Sequence, residues 1–167
     1  MACQGLRVIL DTSVFVFWYN RYDNYLEIMK CIREEGFKLV LCEGLRREYL
    51  ANLFGRSTSN YYLLQRELEK LRMEQILEYA NPKNNNSVVI HEDDQHVLDC
   101  ALTEDCHVHM IVTDNTSHFQ SKSVKYNLPL IISSKEFQEK NTCHTFCSEA
   151  KRICQKIIEI GEKVRYS

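Results

Sequence analysis

The chain has 167 residues, 44% of them hydrophobic and 26% charged, with a formal net charge of -2. That length suits one domain with a buried core, and the charged fraction is not that of a disordered chain. The net charge excludes a uniformly basic nucleic-acid binder, although a local basic strip would be averaged away. No run of about 18 apolar residues exists to cross a membrane; the longest, Val14 to Tyr19, is far too short. Met1 to Arg7 lacks a charged stretch followed by a long apolar run, so a cytoplasmic protein is expected. Eight cysteines then read as reduced thiols. Cys42 and Cys100, set among apolar neighbours, read as small buried thiols.

In chain order, Arg7-Val8-Ile9-Leu10 is a short β-branched run expected as a buried strand. It stops at Asp11-Thr12-Ser13, whose short polar side chains suit a helix cap. Helix is expected from about Ser13, interrupted near Asn20 to Asn24, then through Tyr25 to Glu35, with Gly36 as its stop. Leu39-Val40-Leu41 is a second strand. Leu45 to Phe54 is a helix closed by Gly55. Asn60 to Tyr79 is expected as one long amphipathic helix, with Leu64, Leu68, Leu71 and Leu77 near helical spacing. The segment from Asn81 to Ser87 is rich in turn formers and marks a surface loop.

Val88-Val89-Ile90 is a further extended run. Asp93 to Asp105 is expected as a helix with acids in its first turn. Met110-Ile111-Val112-Thr113 is a buried strand ending at Asp114, and Leu130-Ile131-Ile132 is another. Ser133 to Glu136 matches a capping box. Cys143 to Lys163 closes the chain as an amphipathic helix. Short apolar strands interleaved with helices predict a three-layer α/β/α sandwich around a mainly parallel sheet. The expected division is one domain over 1–140, with 141–167 a helix packed on it.

In such sheets function collects at the carboxyl ends of the strands, and Asp11 and Asp114 each directly follow an apolar strand. A lone aspartate there is most often a helix cap; two on strands of one sheet can face the same crevice. Helical phase adds companions. With Val97, Leu98 and Ala101 as the apolar stripe, Asp94 falls inside it, roughly 60° from Val97. Asp93 lies at its edge, and Asp99 points away as a solvated acid. Glu48 lies beside the stripe of Leu45, Tyr49 and Leu53. Glu43, at that helix's start, is explained by the dipole. A carboxylate on an inward helix face needs a cation, a hydrogen-bond network or a crevice.

Five segments together resemble the PIN-domain family: Leu10-Asp11-Thr12-Ser13; Arg47-Glu48-Tyr49-Leu50; Asp94 to Ala101; Ile111-Val112-Thr113-Asp114-Asn115 with Phe119; and Leu130 to Phe137. Each is weak alone, and their order and spacing are fairly specific. Ser13 stands where Asn is frequent in the family, and Asp114 follows Thr113 without the residue many members insert. The resemblance implies a PIN-like α/β fold and a ribonuclease dependent on Mg²⁺ or Mn²⁺. It implies Asp11, Asp94 and Asp114 as principal metal ligands and Glu48 as a ligand through water or a positioner of water. Ser13, Thr113 and Asn115 are expected to hold ligands or substrate phosphate. Phosphodiester hydrolysis fits that donor set, because hard divalent ions favour carboxylate oxygen and water. Four acids in one crevice would also repel each other without a cation.

Expected partners are RNA, an antitoxin or RNA-processing protein, and a second copy of the chain. Arg46, Arg47, Arg56, Lys122 and Lys125 lie near the site in chain order, and Tyr61 and Tyr62 offer faces for base stacking. Exposed charges and helix-packing aromatics explain the same residues equally well. Cys143, Cys147 and Cys154 share a helical face, but no His pair or second Cys pair completes a zinc set, so a core thiol stripe is the simpler reading. Cys106-His107-Val108-His109 reads as a loop at a helix end. Nothing singles out a nucleophilic thiol, and the acid pair of a phosphoacceptor domain is missing before Asp11. The alternative to a nuclease is a catalytically weak or inactive PIN-like module that holds RNA or protein.

Overall fold

The computed structural model describes residues 5–54, 58–82, 95–103, 106–119 and 129–139. Five strands form one sheet: β1 (Arg7–Leu10), β2 (Lys38–Leu41), β3 (Leu77–Tyr79), β4 (Met110–Val112) and β5 (Leu130–Ile132). Their order is β3-β2-β1-β4-β5, and every adjacent pair is parallel. Parallel strands are joined by crossovers that cover the sheet with helices. That cover is why Val8, Ile9, Leu10, Val40, Ile111 and Val112 are all fully buried. Four of them, β1, β2, β4 and β5, are apolar strands expected from the sequence, and helices flank the parallel sheet as in the expected α/β/α architecture.

The helices are α1 (Thr12–Tyr19), α2 (Ile28–Glu35), α3 (Glu43–Phe54), α4 (Thr58–Met73), α5 (Gln95–Ala101) and α6 (Ser134–Gln138), with a 3-10 turn at Asp23–Tyr25. α3 packs against α1, α4 and α5, whereas α2 packs against α6. Phe37 and Phe137 meet at 5.3 Å beneath the second group. In the first, Phe15 of α1 stacks on Tyr49 of α3 with centroids 4.0 Å apart and planes 3° from parallel. Local signals end the helices as anticipated. Gly36 takes the left-handed φ of 78° that closes α2, which only glycine adopts without steric cost. Ser133 accepts from the Glu136 amide at the start of α6. Cys42 and Cys100 are buried.

The structure corrects three expectations. The long helix ends at Met73, and Leu77–Tyr79 is instead the edge strand β3, paired with β2 in the register Leu41 to Tyr79. The break is at Gln75, whose φ of 60° is left-handed. The Ile76 amide then returns to the Leu71 carbonyl at 3.0 Å and closes the helix. Leu77 is buried either way, so its spacing from Leu71 could not separate the two structures. Next, α5 stops at Ala101, short of the expected Asp105; its last turn is closed by the Thr103 hydroxyl donating to the Asp99 carbonyl. Asp99 itself is half-buried and accepts from Gln95, not a freely solvated acid. Cys106 to His109 form a loop as expected, in which His109 Nδ1 accepts from the Arg7 amide at 3.0 Å. The loop around 83–87, the run 88–90 and the closing helix over 143–163 lie outside the described residues.

The Gln75 break gives a test by sign. In a left-handed position, Gln75→Gly relieves steric strain and is expected to raise stability by about 0.5–1 kcal/mol. In the interior of a continuous helix the same change would cost about 1 kcal/mol. Urea unfolding of the two proteins separates the cases, and a destabilised variant would contradict the observed break.

Candidate active site

β1 and β4 are neighbours, so Asp11 and Thr113-Asp114 emerge side by side at the carboxyl end of the sheet. Asp11 caps α1 and is only 5% exposed. A buried carboxylate requires donors. The Thr12 amide donates to Oδ1 at 2.7 Å, and the Thr113 hydroxyl donates to Oδ2 at 2.7 Å. The Thr113 hydroxyl in turn accepts from the Asn115 amide at 3.1 Å. That contact leaves its single proton directed at Asp11.

Glu48 is brought to the same place by α3. The Tyr49 hydroxyl donates to the Leu10 carbonyl, one residue before Asp11, and its ring lies on Phe15. Burial raises the Tyr49 pKa far above its ordinary range, so this donor stays protonated. With Tyr49 fixed, the neighbouring Glu48 meets α1, and its Oε2 accepts from the Thr12 hydroxyl at 3.0 Å. Thr12 therefore serves both acids, Asp11 through its amide and Glu48 through its hydroxyl. These donors are neutral. They orient carboxylates without cancelling their charge, an arrangement that suits a cation.

Asp114 is held by other elements. Its Oδ1 accepts from the amide and hydroxyl of Ser134, at 3.0 and 2.7 Å, and its Oδ2 accepts from the Tyr25 hydroxyl at 2.6 Å. Three of about four acceptor positions on this carboxylate are used. Asp114 thus clamps the 3-10 turn to the start of α6, although the residue itself is exposed. Ser13, half-buried in α1, is not among the groups these bonds join. Asn115 is exposed and contributes its amide.

Asp94 lies outside the described residues. The residue after it, Gln95, opens α5, and α5 begins over the first turn of α3. There Gly44 is so close to the His96 imidazole that any larger residue would collide with it, and the Cys42 thiol contacts the His96 carbonyl at 3.8 Å. Among the described residues no three His, Cys, Asp or Glu side chains gather as a metal site. Three acids on one ion therefore require a residue beyond them. Thr12, Tyr25 and Ser134 were not singled out from the sequence for these roles. Thr12 and Ser134 stood only in capping segments, and nothing local marks Tyr25.

The clamp predicts a pH dependence. Burial, then the bond to Asp114, raise the Tyr25 pKa from its ordinary 10.0 to about 12. A raised pKa means the folded state holds the proton more tightly. The contribution is therefore complete below about pH 10 and is lost between about 10 and 12. Tyr25→Phe is expected to be less stable than the parent near neutral pH, with the difference shrinking through that window. Denaturant midpoints across alkaline pH report it, and a constant difference would contradict the clamp.

A comparison with curated protein sequences finds no match. The family profile described as the PIN domain matches residues 7–117, from the first residue of β1 to just beyond Asn115. It thus spans Asp11, Glu48, Asp94 and Asp114 together. PIN domains are usually nucleases and typically use divalent metal ions. With the all-parallel sheet and the profile agreeing over most of its length, the chain belongs to the PIN domain family.

Proposed function

We propose that the chain is a metal-dependent endoribonuclease, with Asp11, Glu48, Asp94 and Asp114 as the acids that would hold Mg²⁺ or Mn²⁺. The observation that carries this reading is Thr12, one residue that orients Asp11 and Glu48 together at the carboxyl edge of the sheet. When bound, such an ion supplies charge neutralisation at the phosphate and a more acidic water. Asp11 is the central acid, held in one orientation by Thr12 and Thr113. Glu48 is set to position water or to share the ion. Asp94 directly precedes in the chain Gln95, which opens a helix packed on α3. Asp114 has the smallest share, because Ser134 and Tyr25 already occupy most of its acceptor capacity. Thr113 is a positioning residue for Asp11, while Asn115 and Ser13 stand near enough in the chain to meet phosphate.

Within this reading the chain acts as the toxin of a toxin–antitoxin pair or in RNA processing, with a protein partner or second copy docked on its helices. No helix among the described residues is long and apolar enough to cross a membrane. A second reading, a PIN module that binds RNA without cutting it, is favoured by the engagement of Asp114 with Ser134 and Tyr25.

The test is cleavage of single-stranded RNA with Mn²⁺, with and without EDTA. Asp11→Asn is expected to lower the rate at least about a hundredfold. It should also weaken Mn²⁺ stabilisation, which for the parent reaches about 2.7 kcal/mol at a hundred times the dissociation constant. A Asp11→Asn/Asp114→Asn protein stabilised by Mn²⁺ as well as the parent would overturn the site. Absence of metal-dependent cleavage across varied RNAs would favour the binding module.

A further inference from the structure

From the carboxylates, the sheet continues through β2 to β3, and its carboxyl edge there is aromatic and cationic. Tyr79 ends β3 directly opposite Leu41 and is 43% exposed. Next to it α3 starts with Glu43, which pairs with Arg46 at 2.7 Å and with Arg47 at 3.1 Å. One carboxylate against two guanidinium groups leaves the cluster positive. The Arg46 guanidinium lies 5.4 Å over the ring of Tyr61 on α4. Tyr61 and Tyr79 thus belong to two elements, α4 and β3, that pack on each other, and α4 also packs on α3, which carries Arg46. Tyr62, which meets Tyr61 edge-on at 5.8 Å, is 73% exposed.

Tyr61 and Tyr79 keep 38% and 43% of their surface open to solvent, and an arginine beside an aromatic ring offers both charge and a flat surface. Two strand spacings, about 10 Å, separate β1 from β3. An RNA strand crosses that distance within a few nucleotides.

We propose that Tyr61 and Tyr79, with Arg46 held against Tyr61, form a shelf on which unpaired bases of a single-stranded RNA stack, with Arg47 meeting the adjoining phosphate, so that the strand runs along the carboxyl edge of the sheet toward Asp11. The proposal rests on the ribonuclease reading for its direction and names which part of the chain holds the substrate. Stacking requires a free base face, so the shelf discriminates against duplex. Glu43 is as important as the arginines, because it fixes the Arg46 plane and keeps the shelf from attracting polyanions indiscriminately.

The experiment is fluorescence anisotropy with a labelled single-stranded RNA, the full chain and EDTA, so that binding is read without cleavage. Tyr61→Ala/Tyr79→Ala is expected to weaken binding by about tenfold or more, since a stacked base contributes roughly that factor. Tyr61→Phe/Tyr79→Phe keeps the ring faces and is expected to stay within about twofold. Arg47→Gln should reduce the salt slope by about 0.7. An RNA carrying abasic residues keeps its phosphates and should lose the same affinity with the unaltered protein, which removes folding of the variants from the question. A duplex that binds as tightly as the single strand, an alanine pair that binds unchanged, or an abasic strand that binds unchanged would each overturn the shelf. A failed Asp11→Asn cleavage test would remove the nuclease reading and leave these binding results standing.

Discussion

A carboxylate cannot be buried at a strand end without donors that reach it, and Asp11 is the group on which the geometry of this protein turns. Its two described donors come from opposite directions, one from α1 just after β1 and one from the strand beside it. Both are available only if β1 lies at the centre of the sheet with β4 as its neighbour and α1 starts at Thr12. The Tyr49 hydroxyl on the Leu10 carbonyl adds α3 to the same point. The apolar core and the polar edge are therefore one structure, because the residues that fill the core are adjacent in sequence to those that orient the acid.

The acids divide by what holds them. Asp11 and Glu48 are linked through Thr12 at the start of α1. Asp114, one residue beyond Thr113, binds α6 and the 3-10 turn. Membership of the PIN domain family places the chain in a group of proteins that are usually nucleases. The unequal engagement of the acids concerns this chain in particular.

Much of the fold was legible because buried parallel strands are short, apolar and bounded by turn residues, as in Arg7 to Leu10 and Leu130 to Ile132. Asp11 and Asp114 were visible for the same reason, as the first polar groups after such runs. Leu77–Tyr79 was not, since three residues after an amphipathic helix carry too little pattern, and pairing with β2 decides their conformation. The inward phase of Glu48 could be computed from its own helix. Its link to Thr12 depends on how α3 packs on α1, which no spacing within either segment encodes. The orientation of Asp114 similarly depends on Ser134, 20 residues away, and Tyr25, 89 residues away.

The bond between the Thr113 hydroxyl and Asp11 joins groups 102 residues apart. During synthesis the amino-terminal strand leaves the ribosome long before its partner exists, and Asp11 has no Thr113 until most of the domain has followed. Closing so long a loop is entropically costly and comes late, after the local helices have formed. The edge that bears the acids is thus completed only when β4 docks beside β1. A nascent or truncated chain carries Asp11, Thr12 and Glu48 in its sequence without the hydroxyl that fixes the central acid.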